Sequence, residues 1–436
     1  MRILDWQVLD AGQRRAALGR PQPGSAAADA VRVAREIIEE VRREGDAALR
    51  SLSRRFDGVE PTALAVPEEE FTAARAALSD PERAALERAI ANVRAFQRAQ
   101  LPSSIALETE PGVRCEQLVT PIDAVGLYVP AGSAPLPSAV VMLAVPAAIA
   151  GCPMRVLCAP PSRSGSVHPA ILVAAQLCGI STVFRVGGAQ AIAALAYGTE
   201  SIPRVDKIFG PGNTWVTAAK QLVAQDPEGA ACDLPAGPSE VLVIADETAR
   251  PDFVAADLLA QAEHDALSQA ILVTPSAALA ARVRDGIAAA LPQLSRRAVL
   301  GQSLNSCRCI LVPDLPSAFQ VANAYAPEHL LLQVGEPRVW LPEVRHAGSV
   351  FLGSWSPEPL GDYCTGANHV LPTGGYARST SGLSVRDFMK VITVQELTRP
   401  GLRSLGPAAA TLARLEGLDA HALAVSRRLE ALGVAP

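Results

Sequence analysis

Six histidines occur in this 436-residue chain, His168, His264, His329, His346, His369 and His421, so any imidazole chemistry must come from among them. In Gln261-Ala262-Glu263-His264 an amide and an imidazole are three residues apart. On a helix they share a face and offer an oxygen and a nitrogen donor to one cation. A surface or capping histidine followed by Asp265 would have the same appearance. Pro327-Glu328-His329 sets a carboxylate beside an imidazole just after a predicted helix, where the next loop or strand begins. Both groups suit general acid-base work because modest changes of environment bring their pKa values toward neutrality. An exposed acid beside a core histidine reads equally well from this dipeptide alone. Gly361-Asp362-Tyr363 and Asn368-His369 lie in a polar, glycine-bearing stretch able to supply further ligands. Glu416 and His421 flank Gly417, where a helical pattern breaks, and they fit the corner of a solvated helix-turn-helix as well as they fit a site.

These side chains need a scaffold. From Ala26 to about Gln100 the sequence reads as long amphipathic helices, with Asp80-Pro81-Glu82 as a helix start. From Arg155 short apolar runs alternate with helix-period segments. Strands are expected at Arg155 to Cys158, Thr182 to Val186 and Lys207 to Phe209, with helices beginning near His168-Pro169, Ala189 and Asn213. After Pro238 strands are expected at Glu240 to Ile244, Ala270 to Val273, Cys309 to Val312 and Ser349 to Leu352. Helix-like stretches near Phe253 to Ala262, Ala277 to Leu291 and Ser317 to Tyr325 separate them. This grammar predicts an α/β protein of two Rossmann-like parallel-sheet units with helical N-terminal and C-terminal segments. The tail from about Ser384 is read as helical.

In open parallel sheets ligands sit at the carboxyl ends of strands. In the first unit those positions carry Gly187-Gly188-Ala189-Gln190 and Gly210-Pro211-Gly212-Asn213. Glycines there allow backbone N–H groups to approach a ligand, and a helix start favours phosphate. Either loop alone reads as a tight turn; two such loops at equivalent sheet positions, each closed by an amide, point to one ligand crevice. The GxGxxG fingerprint is absent, so a dinucleotide would bind without the usual pyrophosphate loop.

Composition narrows the classes further. The formal net charge is -5, and all 39 basic residues except Lys207, Lys220 and Lys390 are arginines, scattered along the chain, which argues against a nucleic-acid partner. Eight cysteines without a CxxC pair fit small buried residues in a reducing compartment. Asp5 and Gln7 stand where a signal peptide's apolar core would lie, and the apolar run Ala139 to Gly151 is short and carries Pro146. A soluble cytoplasmic protein without a membrane partner is expected.

Taken together the motifs resemble the histidinol dehydrogenase family. The resemblance is carried by Val125-Gly126-Leu127-Tyr128-Val129-Pro130, the two glycine loops, Pro235-Ala236-Gly237-Pro238-Ser239-Glu240 and Gln261-Ala262-Glu263-His264-Asp265. It continues through Tyr325-Ala326-Pro327-Glu328-His329, Asp362, Asn368-His369-Val370-Leu371-Pro372-Thr373, and Glu416-Gly417-Leu418 with His421. These occur in the family's order from about residue 26 to the end. Ala131, Ser133 and Cys364-Thr365 depart from the family's usual residues and touch no assigned ligand.

The resemblance implies NAD contacts at Tyr128, Gln190 and Asn213, and one zinc per subunit on Gln261, His264, Asp362 and His421. It implies substrate contacts at Ser239, Gln261, His264, His329, Asp362, Glu416 and His421, with Glu328 and His329 as proton acceptors. It implies a homodimer in which Glu416 and His421 enter the partner's active site. The domains expected are an N-terminal segment 1–26, a metal and acid-base α/β domain 27–131 with 241–383, an NAD-binding domain 132–240 and a C-terminal helical segment 384–436. The implied reaction is the four-electron oxidation of L-histidinol through L-histidinal to L-histidine, the last steps of histidine biosynthesis. Such a donor set suits zinc, though Mn or Co would also fit. Because histidinol brings an imidazole and an amine, the metal is read as a template for substrate. Three rivals stand beside this reading: a sibling zinc and NAD alcohol dehydrogenase for another primary alcohol, a zinc hydrolase with Glu328 as base, and a non-catalytic metal-binding protein. Glu416 and His421 count against the first and the NAD loops against the second.

Overall fold

The computed structural model describes residues 1–20, 26–131, 134–234 and 237–434. Ser133, and Pro235 and Ala236 of the motif that ends at Glu240, lie outside the described residues. In chain order the strands are β1 (Arg2–Asp5), β2 (Ile105–Glu110), β3 (Val113–Pro121), β4 (Ala124–Tyr128), β5 (Met154–Cys158), β6 (Val183–Phe184), β7 (Lys207–Phe209), β8 (Ala231–Cys232), β9 (Glu240–Ala245), β10 (Gln269–Thr274), β11 (Arg308–Leu311), β12 (His329–Gln333), β13 (Ser349–Leu352) and β14 (Met389–Leu397). The chain divides into two compact units, Met1–Gln100 with Ile122–Phe388, and Leu101–Pro121 with Met389–Pro436.

The first unit holds two parallel sheets. One has the order β6-β5-β4-β7-β8. Counted along the chain from β4 this is 3-2-1-4-5, the doubly wound arrangement whose order reverses at the central strand. Buried aliphatic residues hold it together, because helices cover a parallel sheet on both faces. Ala30, Leu49 and Leu52, from the helices Ala26–Glu44 and Asp46–Phe56, join Ile192, Leu195 and Val216 in that core. β4 is central to this sheet, although residues up to 131 were expected with the metal-bearing domain. Gly126 supplies the reason: an added Cβ would lie 3.0 to 3.1 Å from Leu195 and Val205, so only glycine seats this strand easily under its helix.

The other sheet has the order β1-β11-β10-β9-β12-β13 and repeats the same winding around β9. β9 and β10 are buried at every position, in keeping with their continuous apolar runs. β1 adds a parallel edge strand with Ile3 opposite Cys309, so the N-terminal segment 1–26, for which no element was expected, contributes a strand and the helix Ala11–Ala17. The other departures are small. Ser79 caps the helix Asp80–Ala99, one residue before the cap expected, and its N–H donates to Glu82 at 2.9 Å.

The helix Pro137–Ala150 is apolar around its circumference, and Ala139 to Ala147 are all buried. Pro146 has no N–H to give to the Met142 carbonyl four residues back. The Asn368 side-chain amide donates to that carbonyl at 2.8 Å. The orphaned acceptor is thereby satisfied from a distant loop. Among the described residues no helix is long and apolar enough to cross a membrane.

The second unit is an antiparallel sheet, β14-β3-β2, with the helices Arg399–Leu415 and Asp419–Ala431. The expected helical tail is corrected here: Met389–Leu397 is a strand, paired residue by residue with β3. Its Val-Ile-Thr-Val run is β-branched throughout and favours a pleated surface over a helix. The helices meet at Gly417, whose φ of +71° gives the left-handed turn that ends the first of them.

Candidate active site

At the carboxyl ends of the five-stranded sheet, both glycine loops converge on Tyr128, the last residue of β4. Its hydroxyl accepts from the Gly188 N–H at 3.2 Å. Burial pushes its phenol up to about 12, so it remains a protonated hydroxyl. Gly188 has a φ of +66°, and a Cβ there would lie 2.6 Å from the Gln190 amide. Gly210 has a φ of +127°, and its Cβ would lie 2.0 Å from the Tyr128 carbonyl oxygen. Gln190 is buried on the first turn of the helix Gly188–Tyr197. Asn213 caps the helix Thr214–Gln225, its side-chain oxygen accepting from the N–H groups of Trp215 and Val216 at 3.1 Å each. Expected to aim at the crevice, Asn213 therefore spends its oxygen on the helix end. The peptide of Gly210 is gripped from both sides: Asp233 accepts from its N–H at 2.7 Å, and Lys220 donates to its carbonyl at 2.9 Å. Lys220 and Asp233 also pair directly with each other.

A second cluster forms at the other sheet. His329 opens β12 and is 3% exposed; Glu328, immediately before it, is 6% exposed. The helix Leu315–Tyr325 ends in Ala326, a non-glycine residue with a φ of +55°, and that turn delivers Pro327-Glu328-His329 to the sheet. The Glu328 carboxylate accepts from the Glu240 N–H at 2.7 Å. His329 Nδ1 lies 3.2 Å from the Glu240 carbonyl and 3.0 Å from Gln261 Oε1. Two acceptors around Nδ1 place the proton there, which leaves the Nε2 lone pair free, 3.7 Å from an Asp362 oxygen. Burial lowers the His329 pKa to about 4 against the opposing effect of Asp362, so the ring is neutral at pH 7. Burial acts in the opposite direction on Glu328 and raises it well above the usual carboxylate range.

The helix Pro251–Ala262 ends just before His264, so Gln261 and His264 do not share a continuous helix. A turn bond from the His264 N–H to the Gln261 carbonyl at 3.3 Å still keeps both residues on one side. Asp362, in the polar, glycine-bearing stretch, lies on the short helix Glu358–Tyr363. Ligand atoms of His264, Glu358 and Asp362 lie within 4.8 Å of one another. Among the described residues neither Glu358 oxygen nor the Gln261 side-chain nitrogen has a hydrogen-bond partner. Burial and then Asp362 push Glu358 up to about 10. A buried acid left without a donor, beside a second carboxylate and an imidazole, is the arrangement a divalent cation would relieve.

Of the expected ligands, the structure thus brings Gln261, His264 and Asp362 to one place, with Glu328 and His329 alongside. Ser239, half-buried, precedes β9, and its carbonyl accepts from the Gln269 N–H at 3.0 Å. Glu416 and His421 are exposed residues of the second unit. Glu358 was not among the expected ligands; its spacing four residues before Asp362 on a helix was the available signal. Glu240 was read only as the start of a strand, yet both polar groups of its backbone serve the Glu328–His329 pair. His369 holds the backbone of the cluster, its Nδ1 lying 2.8 Å from the Asp362 carbonyl. His168 caps a helix through its own Nδ1.

The family model described as histidinol dehydrogenase matches residues 21–429. A histidinol dehydrogenase from Xanthomonas euvesicatoria pv. vesicatoria (strain 85-10) is 55% identical over 429 residues, 98% of this chain and 99% of that relative. One from Vibrio vulnificus (strain YJ016) is 52% identical over 432 residues, 99% of each chain. A crystal structure of histidinol dehydrogenase from Elizabethkingia anophelis superimposes with a TM-score of 0.94 at 43% identity, covering 99% of both chains.

Proposed function

The chain belongs to the histidinol dehydrogenase family, and from that membership we propose that it oxidises L-histidinol through L-histidinal to L-histidine with NAD and one zinc ion per subunit. The observation that carries the reading is the buried Glu328–His329 pair beside a cluster of donors, His264, Glu358 and Asp362, in which the buried Glu358 acid has no hydrogen-bond partner among the described residues. NAD when bound would accept hydride, and the cation would hold the substrate's imidazole and amine; the remaining chemistry belongs to side chains. His329, neutral and with Nδ1–H turned to Glu240, offers Nε2 to the substrate hydroxyl and takes its proton. Glu328 then takes a proton from the water that adds to the aldehyde. Its raised pKa makes its carboxylate a stronger base than an exposed one. Substrate held at its far end keeps the aldehyde in place between the two steps.

In this reading Tyr128, Gln190 and Asn213 contact NAD, and Gln261, His264, Asp362 and His421 hold the metal. Ser239, Glu416 and His329 complete the substrate site. Residues 132–240, with β4 and the helices Ala26–Glu44 and Asp46–Phe56 that share the core of its sheet, carry NAD, residues 241–383 carry the metal and acid-base groups, and residues 384–436 serve a partner's site in a cytoplasmic homodimer. Support for the shared site comes from the resemblance and from exposed apolar side chains on the second unit, including Leu412, Leu415 and Leu423.

The test supplies L-histidinol as the only substrate, with NAD, and follows NADH and bound zinc. Two NADH per histidinol are expected, activity should vanish on chelation, and His264→Ala should lose zinc. Absence of NADH from zinc-loaded protein, or full zinc occupancy in His264→Ala, counts against it.

A further inference from the structure

Arg20 precedes the family's recognised motifs, yet its guanidinium touches both segments that hold the Glu328–His329 pair. Nε and Nη2 donate to the two oxygens of the buried Glu240 carboxylate, at 2.5 and 2.9 Å. The same Nη2 lies 2.9 Å from the Tyr325 carbonyl and 3.3 Å from that of Ala326. The guanidinium carbon sits 4.0 Å from the Tyr325 ring centroid. Ala326 is the left-handed residue that leads into Pro327-Glu328-His329, a conformation that L-residues rarely adopt and that its surroundings must hold. Glu240 is the residue whose N–H reaches Glu328 and whose carbonyl faces His329 Nδ1. Its carboxylate also accepts from the Gly374 N–H at 3.0 Å.

The arm that carries Arg20 is itself fixed. Arg308 donates to the carbonyls of Ala16, Ala17 and Gly19, at the end of the helix Ala11–Ala17. Gln269 donates to Gly19 at 3.1 Å and accepts from the Tyr325 hydroxyl at 2.7 Å. The fork is thus presented at a set distance from the sheet.

We propose that Arg20 is a positioning residue for the oxidation, tying the left-handed turn at Ala326 to Glu240 and so setting where Glu328 and His329 stand. The proposal rests on the reading that these two residues move protons. A planar fork can serve a carboxylate and two carbonyls together, whereas an ammonium on a flexible stem cannot reproduce that geometry.

The test uses the full-length zinc-loaded protein with Arg20→Ala and Arg20→Lys beside the wild type, at saturating NAD, with histidinol and with histidinal. Bound zinc and the near-ultraviolet circular dichroism report the fold. We expect kcat for both substrates to fall about 10- to 100-fold in Arg20→Ala, with KM for NAD changed by less than about threefold and zinc retained. Arg20→Lys should lie between. Guanidinium at low millimolar concentration should restore part of the Arg20→Ala rate where equal NaCl does not, an effect that a purely structural loss would not show. Unchanged kcat in both variants overturns the proposal. So does a loss that tracks lost zinc or lost fold and resists guanidinium. If Arg20→Ala does not fold, Arg20→Lys decides: wild-type kcat overturns, and reduced kcat with native zinc and spectrum supports. A wild type that forms no NADH from histidinol overturns the functional reading itself and this assignment with it, an outcome distinct from an active wild type with unaffected variants.

Discussion

The two parallel sheets of the first unit are wound alike, yet their functional side chains gather at opposite ends. In the five-stranded sheet Tyr128 closes β4 and Gly210 follows β7, at the carboxyl ends where the winding reverses. In the six-stranded sheet Glu240 and His329 are the first residues of β9 and β12, and they sit at its amino ends. Polar groups at the first are already matched: Tyr128 with Gly188, Lys220 with Asp233, both with Gly210. Those at the second are not: among the described residues Glu358 has no donor and the Gln261 nitrogen no acceptor. Strand order alone therefore marks a crevice only where backbone does the binding. Where side chains do it, the mark is what they lack, since a buried acid pushed up to about 10 stays protonated until a cation displaces its proton.

The largest effect separating the two ends should come from Glu328→Gln. Histidinal oxidation should fall by about 10² to 10⁴, with the alcohol step far less affected, because only the second step needs an activated water. In the wild type the histidinal rate should drop as pH falls through the raised Glu328 pKa, since the ionised form is the base, and the variant's residual rate should lack that limb. Normal turnover of histidinal by the variant would remove Glu328 from this role.

Gly210→Ala probes the other sheet. The added methyl would collide with the Tyr128 carbonyl at a φ that only glycine adopts easily. KM for NAD should rise on the order of tenfold, with kcat at saturating NAD changed less. Equal KM values would show that this loop does not hold the dinucleotide.

The smallest and most diagnostic change is Glu358→Gln. Removing an unpartnered buried acid should raise the melting temperature of the metal-free protein by about one degree, roughly 1 kcal/mol for a chain of this size. The same substitution should weaken metal binding. Thermal melts with and without chelator read both, and a variant that melts lower when metal-free contradicts the picture of an uncompensated carboxylate.

Periodicity resolved what is local. Lys207–Phe209 and Ser349–Leu352 are strands with the expected bounds, and the helices that follow the glycine loops start within a residue of expectation. Long-range pairings were not legible in this way. β1 is a strand because β11 lies beside it, and Met389–Leu397 because β3 does. The Glu328–His329 pair could be named from a dipeptide, but its tautomer depends on Glu240, far earlier in the chain. Arg20 carried no signal at all, since its meaning lies in partners at Glu240 and Ala326. The resemblance supplied Tyr128, Gln190, Glu416 and His421 with roles that spacing left open.

Pro146 and Asn368 hold one carbonyl between them. A descendant that replaced the proline would regain a helical N–H directed at the Met142 carbonyl, and one that lost the amide would leave that oxygen bare in the core. Loss of the amide is therefore the costly change, whereas a carbonyl with two lone pairs can take a restored helical N–H beside the amide. Asn368 adjoins His369, which steadies the Asp362 backbone. A constraint on His369 therefore bears also on the helix Pro137–Ala150, because the residue that satisfies its proline-interrupted turn is the neighbour of the one that steadies Asp362.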